Sequence, residues 1–375
     1  MRTIATRLTA FISLMIAPLI SMAQFHNIPV WETDILFAGD LMQHEEQLKN
    51  ARGSDGTYSY SYYYKHIKKT VREADIAVAN LETPLGKSGF GGYPAFCAPD
   101  SFLYAALDAG FDVMLLANNH CFDKGKKGVM HTLAVLDSTK TLHCGLYRNQ
   151  KEREERYPLL INHNNTRIVL LNYTYGTNGI EAPAPVVVNR MDKKVMAKDI
   201  ARAKEMRADY IIACMHWGEE YLSIAPRQVK EMADWLIEQG VDHIIGNHPH
   251  VIQPIEIRDD KETPDRHAVV YSTGNLVSNM TKRGRDGGIM VRMNLRKIHE
   301  YPQLHKLEYM FTWIAPRKEN GRRDFTILPA ATTITDDSKS GNRLKQFLDD
   351  SRTLFRKHNK GNVTEFTTDT VRIGR

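Results

Sequence analysis

Carboxylates, amides and imidazoles recur in this chain directly after short apolar runs. Gly39-Asp40 is followed four residues later by His44. Asn80-Leu81-Glu82 forms a second group, and Asn118-Asn119-His120 with Asp123 a third. His216-Trp217-Gly218-Glu219 is a fourth and Gly246-Asn247-His248-Pro249-His250 a fifth; Gly274-Asn275 closes the series. Each group alone fits a turn or a helix cap. Together they gather several polar groups that are costly to bury, which a plain apolar core does not explain. A metal site explains them at once. Oxygen and imidazole donors without a thiolate suit Mn, Fe, Zn or Mg. Six or seven candidate donors exceed what one tetrahedral zinc uses. Two divalent ions sharing a bridging carboxylate would absorb that number and could activate water for hydrolysis.

The elements that must position these groups are legible around them. Apolar runs at 34–38, 75–79, 113–117, 167–171, 210–215, 243–246 and 268–272 lack alternation, which predicts strands covered on both faces. Helical segments are predicted at 63–73, 101–109, 126–138, 192–207 and 226–239. In the last, Val229, Met232, Ala233, Leu236 and Ile237 make one apolar face, and Gly240 ends it. Strands alternating with helices indicate an α/β domain whose ligands gather at the carboxyl ends of its strands. After about residue 287 the rhythm changes: 288–295, 306–313 and 325–330 read as strands without long helices between them. An antiparallel extension of sheet fits this; a (β/α)₈ barrel would need helices there. The segment 344–355 reads as a last amphipathic helix, followed by a frayed polar tail from His358. Lys151–Arg156 and Asn162–Thr166 read as surface and loop. Tyr58, Tyr60, Tyr62, Tyr63 and Tyr64 point several ways; they offer a weaker sugar-binding reading, with packing of the first helix on the sheet as its rival.

Residues 1–23 read as a secretory signal peptide: Arg2 and Arg7, an apolar stretch from Leu8 to Ile20, then Ser21-Met22-Ala23. The apolar run is short of the roughly 20 residues that span a bilayer. The expected product is exported to the bacterial periplasm or beyond, with no stable membrane span. Of 50 basic residues, removing Arg2 and Arg7 leaves 48 against 44 acidic, a net of +4. That balance argues against a nucleic-acid or membrane-surface partner. Export permits disulfides. Cys97, Cys121 and Cys144 leave room for one bridge, while Cys214 reads as a buried thiol.

The order GDLM at 39–42, NLETPL at 80–85, NNHCFDKG at 118–125, HWGEE at 216–220, GNHPHVIQP at 246–254 and YSTGNLV at 271–277 resembles the CapA family, named for poly-γ-glutamate capsule synthesis and related to calcineurin-like metallophosphoesterases. The resemblance covers roughly residues 33–280. It implies a four-layer α/β/β/α sandwich, with a CapA-type domain over 24–335 and a C-terminal helix and tail over 336–375. It also implies a dinuclear metal site with ligands Asp40, Glu82, Asn119, His216, His248 and His250, of which Glu82 would bridge. His120 is similar to the residue that protonates a leaving group, with Asp123 as its orienting partner. His44, Asn80 and Asn275 are possible additional members. The usual Asp-x-His first motif is absent here, since His44 stands four residues from Asp40, and Asp123 stands three residues from His120. The function implied is a metal-dependent hydrolase of poly-γ-glutamate or a phosphoester-containing polymer. The alternative is a non-catalytic binding component of a polymer synthesis or export assembly, suggested by Lys282, Arg283 and Arg285.

Overall fold

The computed structural model describes residues 29–260, 265–315, 317–319, 322–335 and 337–374. The proposed leader lies outside the described residues. Two mixed sheets face one another. The first runs in the order Ile327–Pro329, Tyr301–Ile314, Gly287–Ile298, Val30–Leu41, Ile76–Leu81, Val113–Leu115 and Leu142–Cys144. The second runs Ile255–Asp259, Arg266–Val270, His243–Asn247, Tyr210–His216, Thr166–Thr174 and Leu159–His163. The strands that end in chemistry pair in parallel, so their carboxyl ends share an edge. The late strands are antiparallel and extend the first sheet.

Side-chain alternation along Val30–Leu41 sorts the layers. Ile35 and Phe37 join Val78, Leu115, Leu170 and Ile212 between the sheets. Leu36 and Ala38 point the other way, onto Phe102 and Leu103 of helix Asp100–Ala109 and Leu133 of helix Gly125–Ser138. Helices Lys193–Glu205 and Arg227–Glu238 cover the second sheet through Met196, Ile200, Ala233 and Leu236. The result is the α/β/β/α sandwich.

Several expectations change. The segment 63–73 is not one helix but a 3-10 turn at Ser61–Tyr64 and a short helix at Lys68–Arg72. Tyr60, Tyr63 and Tyr64 are buried there against Phe102, Phe325 and Phe111, so these three rings are packing and offer no sugar platform. The tail is not frayed. Asn359 Oδ1 accepts the Ile255 N–H at 2.9 Å, Thr364–Glu365 pairs with Tyr301–Ile314, and Val371–Ile373 pairs with Thr332–Ile334. All four cysteines are buried free thiols, so none of the possible bridges forms. Burial pushes the Cys144 thiol up to about 12.

Lys151–Arg156 belongs to a short helix, Gln150–Arg156, and is not merely surface. From it Arg153 reaches inward, with Nη2 2.6 Å from Asp199 Oδ2 and Nε 2.6 Å from Asn189 Oδ1. The Tyr173 hydroxyl donates to the same Asp199 oxygen at 2.9 Å. Removing one partner of a buried pair strands the other charge. Arg153→Ala should therefore destabilise the chain by about 3–5 kcal/mol, read from a denaturant midpoint; no loss would mean that the pair is solvent-screened.

Gly246 lets the two middle strands of the second sheet carry the site. A Cβ there would lie 2.0 Å from the Tyr271 carbonyl oxygen and 2.6 Å from Trp217 Nε1. Both neighbours are fixed, so Gly246→Ala must push the strand aside. The expected loss is about 3 kcal/mol, the upper end for overpacking, visible as a lowered melting temperature.

Candidate metal centre

Register brings the separate strand ends together. Asp40 pairs with Asn80 on one side and Asn275 on the other. His216 pairs with Asn247, the last residue before His248. The turn after Asn247 then holds both His248 (φ 98°) and His250 (φ 55°) in left-handed backbone, which non-glycine residues adopt at a cost. That cost turns both imidazoles toward the carboxylates.

Asp40, Glu82, His216, His248 and His250 are all buried, and Asn119 closes the group. Three sets of ligand atoms lie within 4.8 Å of one another: Asp40, Glu82 and His250; Glu82, His216 and His248; and Glu220, His248 and His250. Glu82 belongs to two of them, as a bridging carboxylate would. His216 Nε2 is 2.7 Å from Asn119 Oδ1 and 3.4 Å from Glu82 Oε1. His250 Nδ1 is 3.3 Å from Asp40 Oδ2. Both Glu82 carboxylate oxygens and His248 Nδ1 are buried without a hydrogen-bond partner. A fully buried carboxylate in that state is strongly disfavoured unless a cation meets it. The residues present therefore fit a divalent metal.

The electrostatics agree for His216 and His248, while His250 must lose a proton to ligate. Burial, then the nearby Asp40 charge, pushes Glu82 well above the usual carboxylate range. Burial would raise Asp40 too, but the hydrogen bond and charge of His250 outweigh it and hold Asp40 low. Burial is the chief reason that His216 falls to about 3 and His248 to about 2. Both are thus neutral imidazoles, the form that ligates metal. His250 is lowered by burial but raised more by Glu82 and Asp40, to about 9.

The remaining expected members take other places. Asn80 Nδ2 donates to Asp40 Oδ1 at 2.7 Å and lies 3.3 Å from His216 Nδ1, so Asn80 orients two ligands through its amide nitrogen. Asn275 Oδ1 is 3.1 Å from His250 Nδ1, and its Nδ2 donates to the Arg285 carbonyl at 2.9 Å. His44 is outside the three ligand sets. Its Nδ1 accepts the Asn279 N–H at 3.2 Å, and burial drops its pKa to about 4. His120 Nδ1 lies 2.7 Å from Asp123 Oδ2 despite the three-residue spacing. The chain turns back between them, with the Asp123 N–H donating to the His120 carbonyl at 3.1 Å. Asp123 also accepts the Phe96 N–H at 2.8 Å, and the Phe96 ring packs edge-on against both His120 and His44.

Sequence reasoning missed four neighbours. Glu220, not Glu219, stands with His248 and His250. Asn178 bonds Asn119 and approaches His120 at 3.5 Å. Tyr175 and Tyr221 place rings beside His248 and His250. Glu220 lay inside the HWGEE motif, one residue on; the others sit in loops without a pattern.

The family model described as "Bacterial capsule synthesis protein PGA_cap" matches residues 34–280. The chain belongs to this family. Among curated relatives it is 26% identical to "Capsule biosynthesis protein CapA" of Bacillus anthracis over 271 residues, 69% of this chain and 62% of that one. It thus spans less than two-thirds of that relative. It is 25% identical to "PGA biosynthesis protein CapA" of Bacillus subtilis over 295 residues, 73% of this chain and 72% of that one. Solved structures similar to this PGA_cap chain include the calcineurin-like phosphoesterase YfkN from Bacillus subtilis, with 13% identity and a TM-score of 0.42, covering 88% of this chain and 100% of that one. A 5'-nucleotidase precursor from Thermus thermophilus has 12% identity and a TM-score of 0.46, covering 86% and 60%. Among the described residues of the PGA_cap chain, no helix is long and apolar enough to cross a membrane.

Proposed function

We propose that the chain is an exported, metal-dependent hydrolase of a cell-surface polymer, either poly-γ-glutamate or one containing phosphoesters. The observation that carries this reading is Glu82, whose two buried, unpartnered oxygens sit among Asp40, His216, His248 and His250. Asp40, Glu82 and His250 would hold one divalent ion, and Glu82, His216 and His248, with Asn119, a second. Mn, Fe, Zn and Mg all accept this donor set. Such ions would supply Lewis acidity, lowering the pKa of a water and stabilising charge on the substrate oxygen. The chain's own residues do the rest. Asn80 and Asn275 fix the orientation of Asp40, His216 and His250. Asp123 anchors His120 Nδ1, which leaves Nε2 as the ring nitrogen that can hand a proton to a leaving oxygen or nitrogen. Phe96 limits how far that ring can turn. The leader-like sequence at 1–23 supports export, and the names of the relatives support a capsule polymer.

Metal analysis of the purified chain, followed by assays on poly-γ-glutamate and a phosphodiester with added Mn²⁺, tests the proposal. Bound metal and turnover of either substrate are expected. A chain that takes up no metal and is inert in both assays overturns it.

A further inference from the structure

The chain does not stop at the metal centre after His250. Val251 and Ile252 run on into a cleft of about 420 Å³. Tyr221 lines the same cleft, and its ring centroid is 6.3 Å from that of His250. One wall is the loop at 283–285; the other is the C-terminal half of helix Ser338–His358.

The cleft is basic. Arg283, Arg285 and Lys357 all face it. Asp350 is its one acidic lining residue among the described residues, and Arg283 holds it through two bonds of 2.7 Å. Arg285 is different. Its guanidinium carbon lies 3.2 Å from the Tyr221 ring centroid, and no carboxylate pairs with it among the described residues. A guanidinium stacked flat on an aromatic ring keeps its in-plane N–H fork open to an oxoanion. Lys357 is exposed and likewise forms no ion pair among the described residues. Between these cations the floor is apolar, formed by Ile252, Phe347 and Leu354.

The loop is also tied to the ligand cage. Asn275 bridges the Arg285 carbonyl and His250 Nδ1, which ties the backbone at Arg285 to the metal centre, and the Tyr221 ring meets the guanidinium.

We propose that this cleft is a polyanion subsite, which holds the carboxylates of a flexible polymer on Arg285 and Lys357 while the neighbouring unit lies at the metal centre. This rests on the hydrolase reading above. A phosphate polymer presents the same oxoanion chemistry. The apolar floor favours a repeat with methylenes between its charges, as in poly-γ-glutamate, over polyphosphate, which has none.

The test uses the full chain, metal-loaded, in a His120→Ala background so that the polymer is not consumed. Fluorescence anisotropy follows a labelled poly-γ-glutamate oligomer, with inorganic polyphosphate of equal length as competitor. Binding is expected, weakened about tenfold or more by Arg285→Ala and also by Lys357→Glu, with melting temperature and metal content unchanged. Lys357 is exposed, so its variant reports even if Arg285→Ala disturbs the loop. No binding, binding indifferent to both substitutions, or stronger binding of polyphosphate overturns the subsite. If binding depends on both cations but the unsubstituted chain cleaves no polymer, the subsite stands and the hydrolase reading falls.

Discussion

Glu82→Gln should abolish metal uptake and, in the metal-free chain, raise stability. The two effects have one cause. Glu82 is the only residue common to the Asp40, Glu82, His250 set and the Glu82, His216, His248 set, and neither of its oxygens has a hydrogen-bond partner. Replacing it removes a shared donor, so metal affinity should fall by at least about 100-fold, more than the loss of an outer-shell partner usually brings. Without metal, the same carboxylate is a liability. Its pKa is raised in the folded state by burial first and by Asp40 second. A raised carboxylate pKa means that the folded state binds more protons than the unfolded one. The stability this carboxyl lends is therefore full below its ordinary value and is lost as pH rises. At neutral pH the metal-free Gln variant should melt higher than metal-free wild type, and the gap should close as pH falls toward the ordinary carboxylate range. Calorimetry after chelation, at two pH values, reads this directly. A variant that keeps its metal, or that is less stable than the chelated parent at neutral pH, would refute the cage as described.

The second large effect is at His120. His120→Ala should lower turnover by about 10²–10⁴-fold, the range for loss of a positioned acid, while leaving metal content unchanged. His120 is in none of the three ligand sets, and its bond to Asp123 lies outside the cage. Added imidazole should restore part of the rate, because the Phe96 edge remains to form the pocket wall. Asp123→Asn should lose less than the alanine variant, since it disturbs orientation alone. If His120→Ala leaves both turnover in vitro and the phenotype in cells intact, the catalytic reading gives way to one of binding without cleavage.

The parallel core was readable because its strands are covered on both faces and so lack alternation. The segments 210–215 and 243–246 became Tyr210–His216 and His243–Asn247, each extended by the residue that begins the chemistry. Ligand-type residues were readable for the same reason: polar groups at the ends of apolar runs stand out. What did not show was which individual side chains meet when the chain returns from far away. Asn275 meets Asp40 only because a three-residue strand, Asn275–Val277, pairs beside it just before a bulge. Tyr221 and Arg285 stack across 64 positions of sequence, and no local spacing announces that contact. The tail looked frayed because it is polar; its order comes from backbone pairing, which composition does not encode.

Val30–Leu41 lies in the middle of the first sheet, yet it is the first described strand, and one of its long edges pairs with Gly287–Ile298 in the register Val30 to Ile298. Synthesis therefore delivers the central strand long before the partner that seals it. Until then a row of backbone donors and acceptors is open to any passing strand. Such sequence-distant pairing makes for slow, aggregation-exposed folding. A chain ending near residue 280 should leave the amides of that edge unprotected in hydrogen exchange, even with the second sheet formed. The strand that bears Asp40 leaves the ribosome before Gly287–Ile298 and cannot be sealed on that edge until this partner follows.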